Sequence, residues 1–554
     1  MKLLLLAAFS LFTSTLVAQP NKKVTTTTAT SNSIARPKLV VGFVVDQMRW
    51  DFLYRYYDRY QPNGGFKRIL SQGNSCENTF IPYTPTVTAA GHTCLYTGSV
   101  PSIHGITGNA WYDNLQQRNV YCSEDNTVTG VGSNSNNGKM SPRNMLTTTI
   151  GDELRLATNF RNKVIGIALK DRGAILPAGH SANAAYWYDG TNGIFISSTY
   201  YMQQLPQWVQ QFNQRRLVDS FYKTPWNTLY PIETYVQSTK DKQAYEALPF
   251  GKSLEQFPYD LSANIGKNYW NIANTPYGNT LTLEMAKSAV IHEQLGRSGF
   301  TDMLCVSLSS TDYIGHAFGP NSIETEDTYL RLDQELGAFL NFLDAQVGKG
   351  NYLFFLSADH GVAHVPGFLQ ANKLPGGTYD DTKAMKAMND SLKAIFGIDQ
   401  LIVSDYNYQI TLNEQKLDSA DIELEDVTNW IIKYLRKQPA IANAFAIDEM
   451  METPLNEKQK SMFANGYFPT RCGHVQVILK PGYVEGKNTG TTHGIWSPYD
   501  SHIPLVWYGW GIKPGVTRRE THMTDAAATI ATMLRIQMPS GCVGNTITEV
   551  INNP

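Results

Sequence analysis

KLVVGFVVD, residues 38–46, runs through seven apolar or glycine positions, four of them valine, and stops at an aspartate. A segment apolar on both faces suits a strand buried from both sides in a parallel sheet, not the half-solvated strand of an antiparallel one. The pattern returns in KVIGIALKDR (163–172), DMLCVSLSSTD (302–312), YLFFLSADHG (352–361) and HIPLVWYG (502–509). Helical patterns lie between several of these runs. In TEDTYLRLDQELGAFLNFLDAQVG, Leu332, Leu336, Phe339, Leu340 and Leu343 recur at helical spacing and a glycine closes the segment. Alternation of this kind predicts an α/β fold with a doubly wound, mostly parallel central sheet and helices on both faces.

Chemistry gathers where the runs end. One ends in Asp46, one in Asp312 with His316 four residues on, one in Asp359 and His360, one in Lys170 and Arg172. Open α/β sheets bind ligands just beyond the carboxyl ends of their strands, so these residues are expected to converge on one edge. A further loop, GTTHGIWSPYD, adds His493. A lone aspartate after a strand is ordinarily a turn or cap residue; several such endings carrying carboxylate or imidazole point to a site. Asp and His without cysteine suit zinc, and the set exceeds what one tetrahedral ion needs. Two zinc ions would clamp the attacking and leaving oxygens of a displacement at phosphorus. Lys170 and Arg172, two apart on an extended end, would hold its non-bridging oxygens.

The stretch YTPTVTAAGHTCLYTG (83–98) is rich in hydroxyls. A threonine attacks at neutral pH only when a metal or base activates it. The helix expected from Thr88 onward would direct free N–H groups at an anion, which makes Thr88 both the expected cap and the best-placed nucleophile. Thr84 and Thr86 remain chemically equivalent alternatives.

The chain's 554 residues carry 46 Lys+Arg against 48 Asp+Glu, a net charge of -2 that argues against general nucleic-acid binding. Six cysteines without CxxC spacing argue against a cysteine zinc knot. The opening MKLLLLAAFSLFTSTLVAQP reads as a signal peptide over 1–18, cleaved near Ala18-Gln19, so a periplasmic or secreted chain without a membrane span is expected. A Thr/Ser-rich leader (19–36) reads as disordered. The expected catalytic core comprises 37–365 and 486–554, with an aromatic-rich insertion near 180–275 and an accessory subdomain at 366–485. A monomer is expected.

The ordered set Asp46, Thr88-x-x-x-His92, Thr97-Gly98, HGITGN (104–109), Lys170-x-Arg172, Asp312-x-x-x-His316, Asp359-His360-Gly361 and Gly490-Thr-Thr-His493-Gly resembles the alkaline phosphatase superfamily. More narrowly it is similar to the phosphate-irrepressible alkaline phosphatases of flavobacteria, relatives of the nucleotide pyrophosphatases/phosphodiesterases. The resemblance runs over nearly the whole mature chain. It implies an alkaline-phosphatase-like fold and two Zn2+ per chain. One ion would be held by Asp312, His316 and His493, the other by Asp46, Asp359, His360 and Thr88. Spacing within the family selects Thr88 over Thr84 and Thr86. Asn109, Lys170 and Arg172 would bind the phosphoryl group of a small phosphate monoester, which passes through a phosphothreonine to inorganic phosphate. His92 is expected no closer than behind the ligands.

The nearest alternative is a phosphodiesterase with the same two-zinc site, where an apolar pocket would replace Lys170 and Arg172. A sulfatase is disfavoured because the Cys/Ser-x-Pro-x-Arg motif is absent around Thr88. A non-catalytic zinc-binding surface protein would normally have lost a ligand or the nucleophile, and none is missing.

Overall fold

A computed structural model describes residues 34–486 and 488–552; the expected signal peptide and the leader up to residue 33 lie outside them. Ten strands build the central sheet: β1 (Leu39–Val45), β2 (Asn74–Cys76), β3 (Gly130–Val131), β4 (Val164–Ala168), β5 (Ala184–Asp189), β6 (Ile194–Ser198), β7 (Asp302–Leu308), β8 (Tyr352–Ser357), β9 (Leu505–Gly509) and β10 (Gly515–Thr517). Their order across the sheet is β10-β2-β9-β8-β1-β7-β4-β5-β6-β3. The middle five, β8-β1-β7-β4-β5, pair in parallel. Only β9 and β6 run against the rest. The sheet is thus mostly parallel, as the apolar runs predict.

Every residue of β1, β7 and β8 is buried, so both faces of the sheet are covered. Each fully buried Val, Leu or Phe side chain there contributes roughly 1.5–3 kcal/mol. Three helices carry candidate residues at or near their first turns: α1 (Thr88–Thr97), α2 (Asp171–Ala178) and α3 (Ser310–Phe318). Gly91 lets α1 lie directly against the Asp359 backbone, because a Cβ at that position would collide with the Asp359 carbonyl.

Two stretches expected as insertions have distinct structures. Residues 184–198, inside the aromatic-rich segment, supply β5 and β6 to the central sheet itself. Within 366–485, strands Ile402–Ser404, Gln409–Leu412, Ile441–Ala446 and Val475–Leu479 form a separate four-stranded sheet. It has its own apolar core, built around Met388, Leu392, Ile410, Val427, Ile431 and Val475.

Candidate active site

Strand register delivers the polar residues to one edge. Val44 pairs with Ser357, so continuing both strands by two residues sets Asp46 beside Asp359. β7 pairs with β1 up to Leu308 and runs into α3, whose first turn carries Asp312 and whose last carries His316. The i,i+4 spacing puts His316 Nε2 3.2 Å from Asp312 Oδ1. His493 arrives from the loop ahead of β9 and stacks on His360, ring centroids 3.5 Å apart.

Two groups of potential metal ligands result, Asp46–Asp359–His360 and Asp312–His360–His493, each with ligand atoms within 4.8 Å of one another. His360 belongs to both, while His316 stands against Asp312 at the side of the second. His360 Nδ1 donates to Gly361 O (2.9 Å), His316 Nδ1 to Thr491 O (2.8 Å) and His493 Nδ1 to Thr86 O (2.7 Å). Since carbonyls only accept, each ring keeps Nε2 for the site, the tautomer that a metal ligand needs.

Lys170 is the cation within this set. Its Nζ donates to Asp46 Oδ2 (2.7 Å) and Asp312 Oδ2 (2.6 Å) and lies 3.4 Å from Thr88 Oγ1. Burial would lower the lysine pKa, but Asp312 and Asp46 outweigh it and keep the ammonium charged. One ammonium does not balance three buried carboxylates. Burial, with Asp359 next, pushes the Asp46 carboxyl well above its usual range. Asp312 stays well below it, because His316 and Lys170 outweigh burial.

A divalent cation fits these residues. Asp46 Oδ1 and Asp359 Oδ2 are buried with no hydrogen-bond partner, an arrangement that costs free energy unless something positive faces them. His360 Nε2 is 3.6 Å from Asp46 Oδ1 and 3.4 Å from Asp359 Oδ2, and His493 Nε2 is 3.6 Å from Asp312 Oδ1. Two ligands of a tetrahedral ion with bonds of about 2.0–2.1 Å stand roughly 3.3 Å apart. Burial holds His360 below its ordinary pKa; burial, with His360 and His316 beside it, holds His493 well below. Neutral imidazoles therefore aim lone pairs at carboxylate oxygens, a contact that a cation between them turns from repulsive to favourable.

Thr88 Oγ1 lies 3.4 Å from both His360 Nε2 and Lys170 Nζ, at the mouth of the first group. The expectation that Thr88 caps the helix is corrected: Val87, in extended backbone, holds the cap position and Thr88 is the first helical residue. Its hydroxyl faces the site instead of the helix end, and the Ala89 N–H donates to Asn109 Oδ1 (2.9 Å). Asn109 is thereby docked on the start of α1 with its –NH2 group left as a donor. The shared extended end expected of Lys170 and Arg172 applies to Lys170 alone; Arg172 sits in the first turn of α2. There it donates from Nη1 to Tyr121 Oη (3.0 Å), which in turn donates to Asp171 Oδ1 (2.8 Å), while Arg172 Nε is buried without a partner.

Gln47 and Asp500, two of the residues that support the site, gave no legible signal. Gln47, at φ 68°, donates from its backbone to Asp359 Oδ1 (3.1 Å) and from its side chain to Asp312 Oδ1 (2.7 Å), bridging both groups. His92 donates from Nδ1 to Thr88 O (2.9 Å), with Asp359 Oδ2 3.3 Å away, so it stands behind Thr88 and Asp359. Asp500 accepts from the N–H groups of Gly494 and Ile495 (3.0 Å each), fixing the loop that carries His493.

With this geometry established, comparison with known proteins places the chain. Residues 40–502 match the family described as type I phosphodiesterase / nucleotide pyrophosphatase. The chain belongs to that family. Among its relatives, the alkaline phosphatase PhoV of Synechococcus elongatus is 50% identical over 99% of both chains. The alkaline phosphatase PafA of Elizabethkingia meningoseptica is 51% identical over 94% of this chain and 96% of its own. A Myroides odoratus protein named calcium-transporting ATPase is 52% identical, again over 94% and 96%. A crystal structure of PafA superposes with a TM-score of 0.92, covering 94% of this chain and all of that one. This phosphodiesterase-family chain thus has the alkaline-phosphatase-like α/β fold.

Proposed function

We propose that this chain is an exported phosphomonoesterase of the alkaline phosphatase type, releasing inorganic phosphate through a phosphothreonine at Thr88. The observation that carries the reading is the position of Thr88 Oγ1, at the start of a helix and 3.4 Å from both Lys170 Nζ and His360 Nε2. Alkaline phosphatases at about half identity over nearly the full chain support it.

Asp312, His316 and His493 would hold one Zn2+, and Asp46, Asp359 and His360 a second beside Thr88. The ions would supply Lewis acidity at the reacting oxygens and ease deprotonation of the threonine hydroxyl. Thr88 then forms its Oγ–phosphorus bond as the ester oxygen departs, and water later displaces Thr88 to give phosphate. Asn109, Lys170 and Arg172 bind the non-bridging oxygens and stabilise the charge that they gather in the transition state. His360, His316 and His493, pinned through Nδ1, keep their geometry throughout. The name of the Myroides odoratus relative adds ATP to the substrates worth assaying, since the cations grip the phosphoryl group and make no demand on what leaves.

The opening residues support export, and no helix among the described residues is long and apolar enough to cross a membrane. We assign 37–365 with 486–554 to the catalytic core and 366–485 to an inserted subdomain, supported by the latter's separate apolar core.

A diesterase reading has one observation in its favour. A cavity of about 570 Å³, walled by Tyr121, Leu169, Trp187, Tyr188 and Trp270 but also lined by the Asp171 carboxylate, adjoins Arg172 across Tyr121. Its size and aromatic walls would admit a second ester group. The deciding experiment compares kcat/KM for a nitrophenyl phosphate monoester and the matching diester, using zinc-loaded wild type and the Lys170→Ala/Arg172→Ala variant. Monoester preference that collapses in the variant is the expected result; diester preference in the wild type would overturn the assignment.

A further inference from the structure

Asn407 and Tyr408 stand at a corner of the four-stranded sheet, in the turn between its antiparallel strands Ile402–Ser404 and Gln409–Leu412, and both have left-handed backbone (φ 63° and 60°). Asparagine tolerates that conformation, but a bulky tyrosine directly after it is an outlier. Strained backbone of this kind is often found at functional sites.

Both side chains leave their own sheet and reach the backbone of the candidate active site. Asn407 Nδ2 donates to Ala110 O (2.9 Å), one residue beyond the phosphoryl-binding Asn109. The approach is possible because residue 108 is glycine: a Cβ there would overlap the Asn407 carboxamide. Tyr408, buried, donates from its hydroxyl to His493 O (3.2 Å), and a Cβ on the next residue, Gly494, would stand only 2.9 Å from the tyrosine ring. The corner is itself anchored, since Gln476 Nε2 donates to Tyr408 O (2.9 Å).

We infer that Asn407 and Tyr408 are positioning residues: one strained corner of the four-stranded unit sets both Asn109, which grips the phosphoryl group, and His493, which would hold a zinc ion. The inference rests on the functional reading proposed for Thr88 and its neighbours. It gives the 366–485 segment a task in the reaction, because the substrate-side donor and the ligand on the leaving-group side are both braced from it. Two neighbouring side chains, linked rigidly through one backbone, fix two groups drawn from positions 109 and 493.

The test separates the two arms. Tyr408→Phe keeps the ring and deletes the hydroxyl; Asn407→Gly keeps the left-handed backbone and deletes the carboxamide, with Asn407→Asp as a second variant that exchanges donor for acceptor. Zinc remaining on the full-length holoenzyme is measured during titration with a chelator, and inhibition by inorganic phosphate is measured at saturating zinc. Tyr408→Phe is expected to lose zinc about tenfold more readily, and both Asn407 variants to weaken phosphate inhibition by about tenfold. Asn114→Ala, which removes a different bond from the core to this unit (Asn114 Nδ2 to Cys472 O, 2.9 Å), should change neither. Wild-type zinc retention and phosphate inhibition in the Tyr408 and Asn407 variants would overturn the inference. So would equal effects from Asn114→Ala, which would reduce the corner to ordinary docking. Absence of zinc-dependent phosphatase turnover in the wild type would instead sink the functional reading, while zinc retention in Tyr408→Phe would still decide that residue's role.

Discussion

Gln47 donates its side-chain amide to Asp312 Oδ1 at 2.7 Å, although it follows Asp46, a ligand candidate of the opposite group. The two ligand groups are therefore tied through one residue held in left-handed backbone. Gln47→Gly keeps that backbone accessible and removes the tie. Zinc affinity in this variant is expected to fall by roughly 10–100-fold, the usual cost of losing a partner behind a metal ligand. Zinc content after dialysis against graded chelator is the check, and retention equal to wild type would show that Asp312 holds its position unaided.

Thr88→Ala removes the only hydroxyl on the first residue of α1, and hydrolysis should fall on the order of 10³-fold or more. Thr88→Ser should keep measurable turnover. Denaturing acid quench with labelled substrate should trap phosphate on the wild-type and serine proteins and not on the alanine variant. Label on the alanine variant would move the nucleophile to another residue.

Lys170 offsets Asp46 and Asp312 in a setting where its side chain is 2% exposed and theirs 0% and 4%. Lys170→Met leaves two buried carboxylates without their cation. In chelator-stripped protein this should cost about 3 kcal/mol, the lower end of what breaking a buried pair costs. Adding zinc should recover most of the loss, because the ions would then face the same two carboxylates. Urea unfolding of stripped and zinc-loaded protein makes the comparison, and equal losses in both states would rule out shared neutralisation.

Alkaline conditions should strain the four-stranded unit. Burial, then Asp381 and Asp405, pushes the Glu485 carboxyl up from 4.5 to about 8. Between those values the folded chain keeps a proton that the unfolded chain has released, so stability falls as pH rises through the window and the dependence ends above it. The slope is at most about 1.4 kcal/mol per pH unit. Glu485→Gln should make thermal stability fall less steeply between pH 5 and roughly 8, and an unchanged profile would place the titration elsewhere.

The parallel core was legible because burial from two sides leaves an unmistakable apolar run, and a sheet edge explains why Asp46, Asp312, Asp359 and His360 end those runs. The Asp312–His316 pair followed from helical spacing alone. What escaped detection depends on three-dimensional detail. β5 and β6 were hidden in the aromatic-rich stretch, although the Asn192-Gly193 turn between β-forming residues was a usable hairpin signal. Gln47 and Tyr408 act through positive φ, which no residue type other than glycine or asparagine announces. Arg172 reads as the end of a strand until the structure shows that α2 begins one residue earlier.

The residues that gather around Thr88 come from positions as far apart as 46 and 493, joined by an antiparallel return strand near the end of the described chain. One ligand group needs Asp46 together with Asp359 and His360, the other Asp312 and His360 together with His493. Holding both ions as proposed would therefore need the chain folded from position 46 to position 493, and a chain cut short of His493 would lack a ligand of the second group. On that reading, uptake of the second zinc followed in time would report the docking of the His493 loop onto the core.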